Sequence, residues 1–191
     1  MVALQVSAQT VAELFQSMPD ALIPSLHDVD RLQLVRQYAD ADRAKQTNIF
    51  GDTLSIDVMT DDFLSIQLNE AHRLQVKLLP DAEGRKLVCV VSTYYGPAAE
   101  SEVHYYSTRW ERLNIPGHMA HFDINLLTQR PEDMEDTEFS ELKALLDPFL
   151  IQLELSTDNT DMTATLSMPQ TNKVEGDRLK SILQSCRLAW E

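Results

Sequence analysis

The chain has 191 residues, of which 16 are basic and 30 are acidic, giving a formal net charge of −14 at neutral pH. This balance argues against direct binding to nucleic acid, because affinity for phosphate backbones comes from clustered Lys and Arg. Insertion into a membrane is not expected either, since no apolar run approaches the roughly 20 residues that a spanning helix needs. Composition alone does not reveal a function.

The glycines exclude one further class of protein. All five are so widely spaced that no two could share a phosphate-binding loop of the G-x-G-x-x-G or Walker type. They are Gly51, Gly84, Gly96, Gly117 and Gly176. Nucleotides bound in that way are therefore not expected, and the sequence predicts no cofactor.

The first residues have features of a processed leader. Val2 to Gln9 form a short apolar stretch that contains Val6-Ser7-Ala8. Small or short residues at such positions are typical of a signal-peptidase site, so we interpret residues 1–9 as the remnant of a secretory signal cleaved near Ala8. The chain is then periplasmic or secreted. The alternative is that this stretch is an ordinary frayed or packed terminus.

Helical patterns occur near both ends of the chain. Thr10 and Glu13 form a capping box, which predicts a helix that begins directly after the leader. Each predicted helix carries apolar residues at helical spacing. The four stripes are Val11, Leu14, Phe15 and Met18; Val29, Leu32, Val35 and Tyr38; Phe139, Leu142, Leu145, Leu146 and Phe149; and Leu179, Ile182 and Leu183.

Between these helices the apolar period changes to two, which is typical of strands with one buried face. The alternating apolar residues are Leu54, Ile56 and Val58; Leu64, Ile66 and Leu68; Leu74, Val76 and Leu78; Ile151, Leu153 and Leu155; and Met162, Ala164 and Leu166. Such alternation is the habit of antiparallel sheets. We therefore predict a two-layer α+β fold, with helices packed on one face of a mainly antiparallel sheet and the other face hydrated.

Residues 10–191 are expected to form a single α+β domain. Its two subunits could be residues 10–113 and 137–191, joined by a segment of weak periodicity at 114–136. Whether both subunits contribute to one sheet is left open by the sequence. The two cysteines, Cys89 and Cys186, could form a disulfide in an oxidising compartment. Two free thiols that act as small hydrophobic residues are the favoured alternative.

Few residues have the spacing of a metal site. His118 and His121 form the only close histidine pair, but they lack the third and fourth ligands of a zinc motif. The acidic run Asp158–Asp161 lacks the pattern of an EF-hand and is interpreted as a hairpin tip. No metal ligands are therefore predicted, although a domain stabilised by calcium or zinc remains an alternative.

Catalytic nucleophiles are equally hard to find. There is no G-x-S-x-G elbow, and neither cysteine lies beside a histidine or at a helix start that would activate it. No catalytic residue is predicted. A hydrolase whose carboxylates or histidines come together from distant segments is kept as the alternative, because any two acids could converge in the fold.

The best candidate binding site is an aromatic hairpin. Four of the five tyrosines and one of the two tryptophans fall between residues 92 and 110. Alternation is expected to place some of these rings in the core and others on the hydrated face, where aromatic groups beside an arginine suit a peptide or glycan. Cross-strand aromatic pairs that simply stabilise the sheet are the structural alternative. The candidate residues are Tyr94, His104, Tyr106, Arg109 and Trp110.

Three segments carry a family resemblance: Met18–Pro24, Thr60–Ser65 and Tyr106–Trp110. On these segments the chain resembles a domain-of-unknown-function family of uncharacterised, exported proteins from Bacteroidales-type bacteria. The resemblance covers most of the chain from Leu14 onward. It implies export, and it assigns no catalytic or binding residue.

Together these features favour a non-enzymatic protein of the periplasm or cell envelope. We expect it to bind a protein, peptide, glycan or other envelope component through the polar sheet face or the aromatic hairpin. A deep pocket lined by convergent polar groups would instead favour the hydrolase.

Overall fold

A computed structural model describes residues 9–41, 43–48, 50–115, 123–168 and 173–190. Within these ranges the chain forms four α-helices and ten β-strands. The helices are α1 (Val11–Gln16), α2 (Asp28–Ala41), α3 (Asp136–Ala144) and α4 (Lys173–Ile182). The strands are β1 (Ala44–Thr47), β2 (Thr53–Met59), β3 (Phe63–Asn69), β4 (His72–Pro80), β5 (Lys86–Tyr95), β6 (Ala99–Ser107), β7 (Arg112–Leu113), β8 (Leu150–Leu155), β9 (Met162–Ser167) and β10 (Cys186–Leu188).

The strands form two sheets. Strands β1 to β7 follow one another in a seven-stranded meander, and β8 to β10 form a three-stranded sheet in the order β10-β9-β8. Each pair of neighbouring strands is antiparallel. The prediction of an α+β fold with a mainly antiparallel sheet is therefore confirmed.

Helices α1 and α2 cover one face of the large sheet, as predicted. The capping box is present, since the Thr10 hydroxyl accepts a hydrogen bond from the backbone of Glu13 and the Glu13 carboxylate accepts one from the backbone of Thr10. Val11, Leu14 and Phe15 of α1 are buried against alternate residues of β2 to β5. Their burial excludes water from this face and forms the first hydrophobic core.

The buried face of α2 differs from the predicted stripe. Val29 is 69% exposed, whereas Arg31 is only 2% exposed and lies in the core face with Leu34 and Val35. The Arg31 guanidinium donates hydrogen bonds to the carbonyls of Met18 and Leu26, both at 2.6 Å. A buried cation is tolerated there because it also pairs with the Asp20 carboxylate at 2.9 Å, so its charge is compensated and both of its terminal nitrogens donate within the α1–α2 connection.

The opposite face of the large sheet is hydrated only in part. The three-stranded sheet covers it over β4 to β6, where β8 makes its contacts. Gln75, Lys77 and Thr93 alternate with core residues as a wet face requires, yet each of them is buried. The expectation of a fully hydrated face is therefore wrong for these strands, because a second sheet covers their polar side chains.

Side chains of the large sheet bind the outer edge of β8. The backbone amide of Leu153 donates to the Ser101 hydroxyl at 3.0 Å, and that of Leu155 donates to the Gln75 side-chain oxygen at 3.1 Å. These amides point away from β9, so they would otherwise be unpaired donors on an edge strand. The junction between the two sheets is thus held by hydrogen bonds as well as by apolar contact.

A second hydrophobic core joins the two parts of the chain. Leu79, Cys89 and Tyr105 of the large sheet are buried together with residues of β8, β9, α3 and α4. The last tryptophan, Trp190, lies 5.4 Å from Tyr105 between ring centroids. Residues before 113 and after 137 therefore contribute to one apolar cluster.

Candidate binding surface on the β5–β6 hairpin

The β5–β6 hairpin places three predicted site residues on one face. The register pairs Tyr94 with Glu100, Val90 with His104, and Val88 with Tyr106. This is the face that carries α1 and α2, because Val88, Val90 and Tyr106 belong to the first core. The expectation that Tyr94, His104 and Tyr106 lie on the hydrated face is therefore wrong for Tyr106, which is buried in this core. Tyr94 is nonetheless exposed at its end of the hairpin, together with Glu100 and Glu102.

Tyr94 is stacked on a histidine that the sequence analysis did not select. His72 lies directly opposite Tyr94 on β4, with ring centroids 4.4 Å apart and planes at 17°. Burial lowers the pKa of His72, and its Nε2 atom has no hydrogen-bond partner among the described residues. The His72 imidazole is therefore neutral at pH 7, and in this form it packs against the phenol ring of Tyr94. Tyr94 itself remains 46% exposed.

A cluster of three polar side chains lies further along the same hairpin. The Arg112 guanidinium is 3.0 Å from Nδ1 of His104, and the Glu102 carboxylate is 3.7 Å from its Nε2. Since a guanidinium can only donate, Nδ1 accepts and the ring proton lies on Nε2, toward Glu102. Arg112 thus fixes both the tautomer and the orientation of the imidazole.

Together these residues form what we call the aromatic strip. It consists of His72, Ser92, Tyr94, Glu102, His104 and Arg112. Ser92 pairs with Glu102 midway between the stacked rings and the arginine. At about 6.7 Å for every two residues along a strand, the strip is roughly 13 Å long. The strip presents the exposed Tyr94 ring at one end and the charged side chains of Glu102 and Arg112 toward the other.

The remaining predicted residues lie outside this strip. Tyr106 is buried, its ring centroid 5.6 Å from that of Trp110. Trp110 adopts a left-handed φ of 65°, and its indole nitrogen is 3.4 Å from the Ser17 hydroxyl. Both rings therefore fasten the turn after β6 to α1. Arg109 is exposed on that turn, on the rim of a shallow cleft of about 570 Å³ that also includes Asp81 and Lys86.

A second cluster of ionisable groups lies on the opposite face. Arg73 forms an ion pair with Glu154 of β8, and its guanidinium is 5.8 Å from the centre of the Tyr95 ring. The side-chain nitrogen of Gln75 donates to Glu154 at 2.7 Å. These groups mostly satisfy one another, so the cluster fastens β8 to β4. Sequence patterns could not reveal it, because its members lie about 80 residues apart.

Asp57 lies at the hydrated end of this cluster. Burial raises the pKa of its carboxyl, although hydrogen bonds from Ser65 and Ser55 and the charge of Arg73 act in the opposite direction. The folded state therefore holds the Asp57 proton more tightly than the unfolded chain does. In consequence, stability is lost as the pH rises from the unfolded pKa through the folded one.

Asp57→Asn is accordingly expected to stabilise the protein at pH 7. The gain in the free energy of unfolding stays below about 1 kcal/mol, because Asp57 is exposed and water screens its carboxyl. It disappears when the pH falls below about 4, where the carboxyl is protonated in both states. Thermal unfolding at several pH values measures this difference, with Asp133→Asn as an exposed control. A gain that persists at pH 3 would contradict the assignment.

Asp158–Asp161 forms the tip between β8 and β9, as predicted, and Arg187 donates to Asp161. His118 and His121 lie outside the described residues. In the part of the chain that the structure describes, no three His, Cys, Asp or Glu side chains are arranged to hold a metal ion. Cys89 and Cys186 are not bridged. Burial raises the pKa of the Cys89 thiol to about 12.

These observations define an α+β protein of two antiparallel sheets whose candidate site is an open surface. No helix among the described residues is long and apolar enough to span a bilayer. The chain belongs to the family described as protein of unknown function DUF3256, whose model matches residues 3–191. The resemblance to a family of uncharacterised proteins is confirmed to that extent.

A solved structure is similar to this chain in fold. It is described as a domain of an uncharacterized protein from Porphyromonas gingivalis W83, with a TM-score of 0.78 and 20% sequence identity over 96% of each chain. Similarity at this identity shows a common fold alone. No curated protein matches the chain. Neither the family nor the structure assigns an activity, so no residue role can be transferred.

Proposed function

We propose that this chain is an exported, non-enzymatic protein of the cell envelope that binds a protein or peptide segment through the aromatic strip. The observation that carries the proposal is the exposed Tyr94 ring stacked on His72. A ring that is already immobilised loses little conformational entropy when a ligand packs against it. Export is supported by the leader-like residues 2–9.

The charges of the strip favour a polypeptide ligand over a glycan. Glu102 and Arg112 have opposite signs and lie on either side of His104. An extended segment laid along the strip would meet the Tyr94 ring with Glu100 opposite it first, and then the acid Glu102 and the base Arg112. Such a pattern complements a mixed sequence of side chains better than it complements a neutral sugar.

Tyr94→Ala is expected to weaken binding about tenfold while changing the free energy of unfolding by less than about 1 kcal/mol, since about half of the ring is exposed. A photo-reactive amino acid at Ser92 should crosslink a specific protein in the cells that produce this chain. Tyr94→Ala should reduce that crosslink about tenfold, as expected for an aromatic hot spot. Crosslink yield and thermal unfolding are the two measurements.

Phe50→Ala is the matched control, because Phe50 is also an exposed aromatic residue but lies far along the sheet, between β1 and β2. It should leave the crosslink unchanged. Equal crosslinking by both variants would refute the strip as a binding surface. Capture of glycans that depends on Tyr94, without any protein crosslink, would assign the surface to a sugar instead.

Export has its own test. Cleavage after Ala8 predicts that protein recovered from the producing cells begins at Gln9 and is found in the periplasm or the medium. Cell fractionation and mass spectrometry of the N-terminal peptide measure this directly. Protein that remains in the cytoplasm with residues 1–8 attached would contradict export, and it would leave the binding experiment unaffected.

A further inference from the structure

Two neighbouring cavities lie beside β7, the last strand of the large sheet. The first has a volume of about 510 Å³ and includes His104 and Arg112, and the second has a volume of about 570 Å³ and includes Arg109. Residues 113–115 line both cavities, so the two lie next to each other along the strand. We call them together the β7 cleft. Its elongated form suits an extended ligand better than a compact one.

The charge of the β7 cleft is opposite in sign to that of the whole chain. Four bases and two acids line its two cavities, a formal charge of 4 − 2 = +2 in a chain whose net charge is −14. These side chains are Arg85, Lys86, Arg109, Arg112, Asp81 and Glu111. An anionic group inside the cleft is therefore attracted by the residues that surround it.

Three of the four bases are not neutralised by an acid. Arg85 is paired with two carboxylates, at 2.7 and 2.6 Å. In the part of the chain that the structure describes, Lys86, Arg109 and Arg112 form no ion pair with a carboxylate. The Lys86 ammonium donates to a backbone carbonyl at 3.0 Å, and the Arg112 guanidinium lies 3.0 Å from a histidine nitrogen. These three cations are available to a carboxylate of a ligand.

The turn that carries Arg109 is held in one conformation. The Ser107 hydroxyl accepts hydrogen bonds from the amides of Arg109 and Glu111 at 3.2 and 3.3 Å, and the Ser107 carbonyl accepts one from the amide of Trp110 at 2.9 Å. Trp110 has a left-handed φ of 65°, which a bulky residue keeps only where its surroundings enforce it. Arg109 therefore extends from a backbone that is already ordered, and this reduces the entropy lost on binding.

The outer edge of β7 presents free backbone groups beside the cleft. Among the described residues, β7 pairs with β6 alone. Leu113 pairs with β6, and the Glu111 carbonyl accepts from the Ser107 amide, so both of these residues direct their backbone groups toward β6. The amides and carbonyls of Arg112 and Asn114 therefore point away from β6, where no described residue bonds to them. An extended segment can bond to such an edge as an added strand.

We propose that the β7 cleft binds an acidic, extended segment of a partner protein. The segment pairs with the free edge of β7 and places Asp or Glu side chains against Lys86, Arg109 and Arg112, since guanidinium groups bind carboxylates through two parallel hydrogen bonds. A short segment is attracted by the local positive charge because more distant charges are screened beyond about 8 Å at physiological salt. A long polyanion such as nucleic acid is repelled by the rest of the chain. The proposal is independent of the stacked rings of the aromatic strip.

The test uses a defined probe. A fluorescein-labelled peptide of about ten residues, in which Glu alternates with Thr as a strand requires, is titrated with the full chain and followed by fluorescence anisotropy. We expect saturable binding that weakens several-fold between about 50 and 300 mM salt, because salt screens the charges of the cleft. The same peptide with Gln in place of Glu should bind about tenfold more weakly.

Substitutions then locate the contact. Arg109→Glu and Lys86→Glu change exposed side chains, and each should weaken binding about tenfold or more because it places an acid against the carboxylates of the peptide. Arg36→Glu makes the same change in net charge at an exposed position of α2 and should leave the affinity nearly unchanged. Asn114→Pro removes the outward amide of the edge and should weaken binding about tenfold. Tyr94→Ala should leave this peptide bound.

Several outcomes would overturn the proposal. Equal losses from Arg109→Glu and Arg36→Glu would show that the peptide responds only to net charge, and full binding by Asn114→Pro would show that it does not pair with β7. Loss of binding in Tyr94→Ala would place the peptide on the aromatic strip. Displacement of the peptide by an equal concentration of free glutamate would make the cleft a site for a small anion. Self-association in sedimentation that Arg109→Glu abolishes would make the occupant a second copy of this chain.

Discussion

Asp62→Ala should destabilise the protein by about 3 kcal/mol, whereas Lys77→Met should cost less than about 1 kcal/mol, although both break the same ion pair. Lys77 is only 2% exposed, and its ammonium lies 3.0 Å from the Asp62 carboxylate and 3.2 Å from the Thr157 carbonyl. Asp62 is 50% exposed. Removal of the acid leaves a buried charge without a counter-ion, whereas removal of the lysine leaves an acid that water can solvate.

The pKa of Asp62 agrees with this arrangement. Burial acts to raise it, but the hydrogen bonds from Lys77 and Thr60 and the charge of Lys77 together lower it below its ordinary value. Asp62 therefore contributes stability above its unfolded pKa, and that contribution is lost as the pH falls through the folded value. Lys77→Met should remove this part of the acid sensitivity.

Urea unfolding of the two single variants and the double variant measures the asymmetry. The double variant should be about as stable as Lys77→Met alone, because no buried charge remains in either. Asp61→Ala changes the neighbouring acid and is the matched control. Equal losses from Asp62→Ala and Lys77→Met, or a double variant less stable than both, would show that the cost does not come from an uncompensated ammonium.

The strands could be predicted because their signal is local. Between Leu54 and Leu78, apolar and polar residues alternate over three consecutive strands. Burial of every second side chain requires a period of two residues, whatever covers the sheet. The capping box of Thr10 and Glu13 is equally local, and it begins α1 as predicted. The short strands β1 and β7 were missed, since four and two residues give too few alternations to detect.

The burial of the polar face of the large sheet beneath the second sheet could not be predicted from the sequence. Gln75 and Lys77 have the spacing of exposed residues, and their burial depends on β8 and the residues directly after it, which lie about 80 residues further along the chain. A polar side chain has the same appearance in a sequence whether water or a distant strand satisfies it. The hydrated-face interpretation of these strands failed for that reason.

The candidate site could be predicted only in part, because the pairing of its strands also depends on residues that are distant in the sequence. Alternation correctly groups Tyr94, His104 and Tyr106 on one face, but it cannot show that Tyr106 lies beneath the α1 end of the sheet. His72 and Arg112 enter the strip only through the registers of β4 with β5 and of β6 with β7. Register depends on turn geometry and on the whole buried face.

Gln75→Ala should destabilise the protein by about 3 kcal/mol, because it removes both hydrogen bonds that Gln75 makes with β8 and leaves a small cavity. The Gln75 side chain accepts from the Leu155 amide at 3.1 Å and donates to the Glu154 carboxylate at 2.7 Å. Without it, a buried backbone donor has no acceptor. Chemical denaturation of the variant measures the loss.

Two further variants separate the hydrogen bonds from simple packing. Gln75→Glu keeps the shape and the acceptor but brings two carboxylates together, so its penalty should shrink as the pH is lowered toward 4 and one of them is protonated. Gln67→Ala removes a glutamine from the same face on β3 and should cost less than about 1 kcal/mol, because its side chain donates to the nearby Asn69 carbonyl and to no other group that the structure describes. If Gln75→Glu lost the same stability at every pH, the contact with Glu154 would not hold the sheets together. Equal losses from Gln67→Ala and Gln75→Ala would show that any glutamine on this face matters alike, and that the β8 edge is not held by Gln75.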